Sequence, residues 1–378
     1  MERHLLSTAT VCAIMAVVLA CVLERRYRRW TAHVRARVPS GGASAKVYTL
    51  GDAGAASLVV FARIGALEAP MVIDTGFSGA PLLSLPWLAR QKPGTSCERV
   101  YLKTLAELDK GPPGSFECVE TLDLFVKGSG VSSFTAGCSN VLQGIGGMKT
   151  VTSEMLLTPP IELQSEDGSF FVARHIEADV LTTTDAPTCH LLTVDFLRQN
   201  SPSLVAPSTG EMSLRLASDK ADEFRRSGFL MSSELRGGAF VADILVGGRT
   251  FRVTVDTGSP LTVSLGRRAA DQVRMCHAHE AKRLVQRGIN GERVCSDIVW
   301  AAVKLGASES MQLPVFLNDS DATDADGYVG LGLLRGYDLM FDESKLFAIR
   351  SGLAIDADAI YALGTRAWCS SAAPRCAA

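Results

Sequence analysis

The sequence predicts an all-β, bilobal chain with an N-terminal transmembrane helix, and three observations predict it. A strand-to-acid pattern occurs twice, as "MVIDTGF" at residues 71–77 and "VTVDTGS" at 253–259. The segments around both are short, rich in β-branched residues and divided by glycine and proline, 34 and 15 of them in 378 residues, which is the texture of strands joined by tight turns. Ahead of all this stands "LLSTATVCAIMAVVLACVL", residues 5–23, without a single charge.

At ~1.5 Å per residue that apolar stretch is long enough to cross the hydrocarbon layer as a helix. Six arginines follow it, Arg25, Arg26, Arg28, Arg29, Arg35 and Arg37, within a basic linker at 24–45. A single-pass membrane protein is therefore expected, tethered to the bilayer through this helix. The positive-inside tendency keeps the arginine side, and the rest of the chain, in the cytoplasm. A cleaved signal peptide ending near Ala20 is the competing reading and sends the chain to the secretory pathway. The ten cysteines, eight of them after the apolar segment, permit disulfides without deciding between the two.

Composition bounds the remainder. Hydrophobic residues at 47% and charged residues at 21% describe an ordered globular chain long enough for two modest domains. A net charge of −2 without a basic, aromatic-interleaved surface excludes nucleic acid as a partner.

The internal duplication carries the functional signal. Asp74 and Asp256 lie 182 residues apart, and each is preceded nine residues upstream by a glycine turn, Gly65 and Gly247. Each copy thus reads as a strand, a turn and a second strand that delivers a carboxylate into Thr-Gly. A buried lone carboxylate is costly, so a partner acid that shares its proton would offset the burial. Two glycine-rich tips follow in the same order: Gly144, Ile145, Gly146 and Gly147, then Gly288, Ile289, Asn290 and Gly291. A third matched element closes each copy, with "LLTVDFLRQ" from Leu191 answering "YVGLGLLRG" from Tyr328. These matches set the boundaries: a first lobe at 46–217, an interlobe linker at 218–237, a second lobe at 238–352 and a tail at 353–378.

On these residues the chain resembles the aspartic proteases of the retroviral and pepsin superfamily. The resemblance implies a pepsin/retropepsin-like double barrel whose lobes meet at a pseudo-twofold axis. It implies hydrolysis of peptide bonds by a water activated between Asp74 and Asp256, with no metal and no organic cofactor. Thr75, Gly76, Thr257, Gly258 and Ser259 would support the acid pair, and the two glycine tips would act as flaps over a peptide or protein substrate. One chain would then do alone what a retroviral enzyme does as a homodimer, and be active as a monomer. The alternatives are a catalytically inactive pseudoprotease that binds peptides, and a membrane scaffold whose lobes are only structural.

Two departures from the pattern bear on the alternatives. Phe77 follows the first Asp-Thr-Gly where the second copy has Ser259, and Thr193 stands where the second copy has Gly330. The expectation is that Phe77 fills a substrate-contacting wall or shifts its loop, and that Thr193 crowds the loop at Asp74. The first copy is also longer between acid and tip, 70 residues against 32, through an insert at 88–143 with a helix expected near 101–110.

Other constellations have weaker chemistry. "MCHAHE" at 275–280 offers ligand types, but on a helix adjacent side chains do not converge. "DSDATDADG" at 319–327 lacks the spacing of a calcium loop and reads as a solvated acidic turn. "GLGLLRG" at 330–336 has no βαβ unit around it. "GFSGA" at 76–80 misses the serine-hydrolase elbow by one place.

Overall fold

The computed structural model describes residues 42–50, 57–64, 67–79, 81–84, 132–144, 147–157, 161–174, 177–181, 190–274, 282–287, 293–319 and 325–362. The apolar segment 5–23, the expected helix at 101–110, the cluster at 275–280 and the last cysteines all lie outside these residues. Among the described residues no helix is long and apolar enough to cross a membrane.

In the first copy the elements are β1 (Ala43–Leu50), β2 (Ser57–Ile64), β3 (Leu67–Asp74), β4 (Leu82–Ser84), β5 (Ser132–Gly144), β6 (Gly147–Leu157), β7 (Ile161–Gln164), β8 (Phe170–Arg174), β9 (Glu177–Leu181), β10 (His190–Thr193), α1 (Val194–Gln199), β11 (Ser203–Ala206) and β12 (Glu211–Leu214). The second contains α2 (Ser218–Ser227), β13 (Phe229–Ser232), β14 (Glu234–Arg236), β15 (Ala239–Val246), β16 (Arg249–Asp256), β17 (Val263–Leu265), α3 (Arg267–Arg274), β18 (Lys282–Arg287), β19 (Arg293–Leu305), β20 (Met311–Asn318), β21 (Gly327–Gly330), α4 (Leu331–Leu334), β22 (Tyr337–Asp342) and β23 (Lys345–Arg350). The molecule is mainly β, as its sequence implies. Both copies belong to one contact unit, Gly41–Ala378.

Each copy starts from the hairpin that its sequence announces. β15 pairs with β16 from Val241↔Thr254 to Val246↔Arg249, across Gly247 and Gly248, whose φ values of +56° and +84° suit a tight turn closed to most side chains. β2 pairs with β3 in the same way, from Val59↔Val72 to Ile64↔Leu67. Along β16 the alternation puts Phe251, Val253 and Val255 in the core, and on β3 Met71 and Ile73 are fully buried. Burying one such side chain is worth about 1.5–3 kcal/mol. A one-residue slip would turn the whole set toward solvent, so the core pins the register of both acid-bearing strands.

The strand orders of the two copies match. In the first the sequence of neighbours is β1-β2-β3-β10-β4-β9-β6-β5, and in the second β14-β15-β16-β21-β17-β20-β19-β18. In both, the acid-bearing strand gains a parallel neighbour: β10 beside β3 puts Thr193 opposite Asp74, and β21 beside β16 puts Gly330 opposite Asp256. Duplication in sequence is therefore duplication in topology.

The copies are joined by a continuous stretch of six strands, β13-β23-β22-β11-β12-β1. Its seam is the antiparallel pair β11–β22, with Ser203↔Phe341, Leu204↔Met340 and Val205↔Leu339. Residues 218–237, read from sequence as a linker, are built into this arrangement. Helix α2 packs Ala221 and Phe224 against Met340, β13 pairs with β23, and β14 pairs with β15. The start of the tail is also ordered, and Ile360 is buried with Leu261, Ile298 and Phe316.

Candidate active site

Asp74 and Asp256 close β3 and β16, and the structure brings the two together. The contact is built by the threonines that follow them. The Thr75 N–H donates to Thr257 Oγ1 at 3.2 Å, and the Thr257 N–H donates to Thr75 Oγ1 at 3.0 Å. Each hydroxyl then donates onward, Thr75 Oγ1 to the Val255 carbonyl at 2.9 Å and Thr257 Oγ1 to the Ile73 carbonyl at 2.6 Å. Both threonines are buried. Eight donors and acceptors thus find partners across the approximate twofold axis, and none is left to pay for its desolvation.

The glycines are required by the closeness of the opposite acid. A Cβ on Gly76 would stand 2.5 Å from the carboxyl carbon of Asp256, and one on Gly258 would stand 2.5 Å from that of Asp74. No side chain fits there without moving the dyad. The same two residues orient the acids: Gly76 N–H donates to Asp74 Oδ1 at 3.0 Å and Gly258 N–H to Asp256 Oδ1 at 2.9 Å. Ser259 N–H adds a bond to Asp256 Oδ1 at 3.2 Å.

The electrostatics follow from this enclosure. Asp74 is raised well above the ordinary carboxylate range, first by desolvation, then by the charge of Asp256 and by the hydrogen bond between the two carboxyls. Asp256 is also raised by desolvation, while its hydrogen bonds from Asp74 and from the backbone of Gly258, Ser259 and Gly76 pull it back down. Both carboxyls are thus held above the ordinary carboxylate range, and a pair so close titrates as a unit that can share one proton. Each aspartate retains some exposure to solvent, although protein encloses most of its carboxyl. Such a site has an acid and a base within reach of one small molecule.

Tyr328 stands near the pair. Its phenol is raised by burial first and then by the charges of Asp256 and Asp74. It pairs with Thr254 across β16, two residues before Asp256 and therefore on the same face of the sheet.

The two departures in the first copy have definite structural outcomes. Phe77 leaves its loop in register: the Phe77 carbonyl accepts from Val194 N–H at 3.1 Å, as the Ser259 carbonyl accepts from Leu331 N–H at 2.6 Å. Thr193 does not crowd the Asp74 loop. It is fully buried, its Oγ1 donates to the Gly79 carbonyl at 2.7 Å, and it caps α1 by accepting from Phe196 N–H at 3.4 Å. The side chain that replaces a glycine is used as a cap.

The glycine tips are reached only in part. β5 and β6 form a long antiparallel hairpin ending in the pair Gly144↔Gly147, while Ile145 and Gly146 lie outside the described residues. β18 and β19 form its counterpart, last paired at Arg287↔Arg293, with Gly288, Ile289, Asn290 and Gly291 outside. Sequence reading weighed Ser78 and Gly79 only as part of a serine-hydrolase elbow and assigned no part in the acid loop to them or to Asp195. Ser78 Oγ donates to the Gly237 carbonyl at 2.6 Å, and the Gly79 N–H donates to Asp195 Oδ2 at 2.7 Å. For Asp195 the signal was in the repeat, where Thr193-Val194-Asp195 answers Gly330-Leu331-Gly332.

Fold and site together define a duplicated β chain with one paired-carboxyl centre between its copies. No protein-family model matches the chain, and no curated protein matches it. Among solved structures it is similar to basic 7S globulin from soybean, with 12% identity and a TM-score of 0.48 over 84% of this chain and 99% of that one.

Proposed function

We propose that the chain is an aspartic endopeptidase with a pepsin/retropepsin-like double barrel, complete in a single polypeptide. The observation that carries this reading is the reciprocal threonine network, which brings two carboxyls together in a site that burial and their mutual charge make able to share one proton. In the reaction, the ionised member of the pair Asp74 and Asp256 takes a proton from a water lying between the acids, and the water oxygen attacks the carbonyl carbon of a peptide bond. The protonated member hydrogen-bonds the carbonyl oxygen as its charge develops. The tetrahedral intermediate then collapses, the C–N bond breaks, and the departing nitrogen takes up the proton. Rigid positioning of both acids before substrate arrives supplies the electrostatic preorganisation. Gly76 and Gly258 permit the approach.

The hairpins β5–β6 and β18–β19 support a role for their tips as flaps that pair with an extended peptide and exclude water. The substrate is a peptide or protein, the active form a monomer, and the apolar segment 5–23 the tether to a membrane. No metal or organic cofactor has a role in this mechanism. A catalytically silent peptide receptor is the second reading, motivated by Phe77, which has no hydroxyl where Ser259 has one.

The test is cleavage of a diverse peptide library from acid to neutral pH, with Asp74→Asn, Asp256→Asn and a statine-type inhibitor in parallel. Cleavage abolished by each substitution and by the inhibitor is the expected result. A folded protein that binds peptides and cleaves none would replace the endopeptidase with the receptor.

A further inference from the structure

The two acid loops are supported differently, although they are equal in length. Gly79 and Leu261 are equivalent, each five residues after its aspartate. In the second copy the loop is held by close backbone packing. Gly332 N–H donates to the Leu261 carbonyl at 3.0 Å, and Gly330 N–H to the Thr262 carbonyl at 2.9 Å. A Cβ on Gly332 would lie 2.8 Å from the Leu261 carbonyl carbon and from the Pro260 oxygen, and one on Gly330 would meet the Leu261 oxygen closer still.

Thr193 and Asp195 occupy these two positions in the first copy, so the same packing is sterically closed to it. The first loop is held through Gly79 instead. Gly79 adopts φ +104°, with nothing near the position of a Cβ, a conformation that suits glycine. Both polar groups of its backbone are then taken by the side chains that replaced the glycines: its carbonyl by Thr193 Oγ1 and its N–H by Asp195 Oδ2, each at 2.7 Å. Asp195 Oδ1 accepts from Arg198 Nη1 at 2.7 Å. Arg198 Nε donates to the Glu343 carbonyl at 2.8 Å, in the turn between β22 and β23 of the second copy.

We propose that Asp195 is a positioning residue for Asp74. Together with Thr193 it clamps the Gly79 backbone, and through Arg198 it ties the Asp74 loop to the second copy. Side chains thereby give the first loop what two glycines give the second by contact. The consequence for catalysis rests on the endopeptidase reading, whereas the clamp does not.

The experiment is amide hydrogen exchange of the full chain in detergent micelles, read separately for residues 75–79 and 257–261, with peptide cleavage by the same preparations. Asp195→Ala is expected to raise exchange at 75–79 roughly 10- to 100-fold while leaving 257–261 within about twofold, and Asp195→Asn, which keeps one acceptor oxygen for the Gly79 N–H and gives up the bond to Arg198, to fall between alanine and wild type. In a chain that cleaves peptide, Asp195→Ala should lower kcat about tenfold or more with KM within about twofold, and Asp195→Asn should recover part of it. A role confined to stability would speed exchange equally at both loops; that result, or no change at 75–79, overturns the clamp. A loosened 75–79 segment with unchanged kcat overturns the positioning role. Selective loosening by Asp195→Ala, together with a wild-type chain that cleaves nothing, upholds the clamp and removes the endopeptidase.

Discussion

Replacing Thr257 with valine keeps the shape of the side chain and deletes its hydroxyl. That hydroxyl accepts from Thr75 N–H at 3.2 Å and donates to the Ile73 carbonyl at 2.6 Å, and Thr257 is only 1% exposed. Two backbone groups beneath the dyad therefore lose their partners in a place that water does not reach. At about 1–3 kcal/mol for each unsatisfied buried group, and with the longer bond counted at the low end, the expected loss is about 2–4 kcal/mol. Thr257→Ser is the control: it keeps both hydrogen bonds and gives up one methyl group, for a cost of about 1 kcal/mol. Urea unfolding of the two variants at unchanged m-value measures the difference. Each hydroxyl makes its own two bonds, so if those of Thr75 survive in the Thr257 variants the effects of Thr75→Val and Thr257→Val should add in the double variant, and any departure from the sum measures how far the two loops move as one. A valine variant as stable as the serine variant would refute the argument that this network, rather than packing alone, holds the two copies together at the acids.

Gly76→Ala and Gly258→Ala each drive a methyl to 2.5 Å from the opposite carboxyl carbon, so each should cost about 1–3 kcal/mol in unfolding experiments and abolish any peptide cleavage. Asp74→Asn tests the raised acid through stability. A carboxyl whose folded pKa lies above its unfolded value of 3.8 contributes stability below that value and loses it as pH rises. The asparagine variant should therefore exceed wild type in Tm near pH 7, and the gap should close as pH falls below 4. His190 works in the opposite direction. It is fully buried on β10 and desolvation lowers it to about 3 from 6.5, so between those values acid should cost up to about 1.4 kcal/mol per pH unit. His190→Gln should flatten that acid limb of the stability curve.

The hairpin, the acid and the later apolar element were legible in each copy because they depend on local periodicity and on glycine at turns, whereas the parallel pairing of that element beside the acid-bearing strand came from the structure. Repetition made them specific: one Asp-Thr-Gly is an ordinary turn, whereas two in matched surroundings call for a shared axis. The segment 218–237 was harder to place. Its polar helix α2 and short strands β13 and β14 have little periodicity of their own and become elements by docking on β23, β15 and Met340. Thr193 was misjudged for a related reason. A glycine replaced in one copy suggests a clash, and only the hydrogen bond from Thr193 to the Gly79 carbonyl shows where the extra atoms go.

By itself the sequence determined that two equivalent acid-bearing hairpins exist and which residues terminate them, since side-chain alternation and turn chemistry act over a few residues. Tertiary structure alone decided how those acids meet. The crossing hydrogen bonds of Thr75 and Thr257, the pressing of each glycine on the opposite carboxyl, and the unequal supports of the two loops join atoms far apart along the chain. No local pattern encodes such distances; they are fixed when the two cores close and leave the buried polar groups only one another as partners.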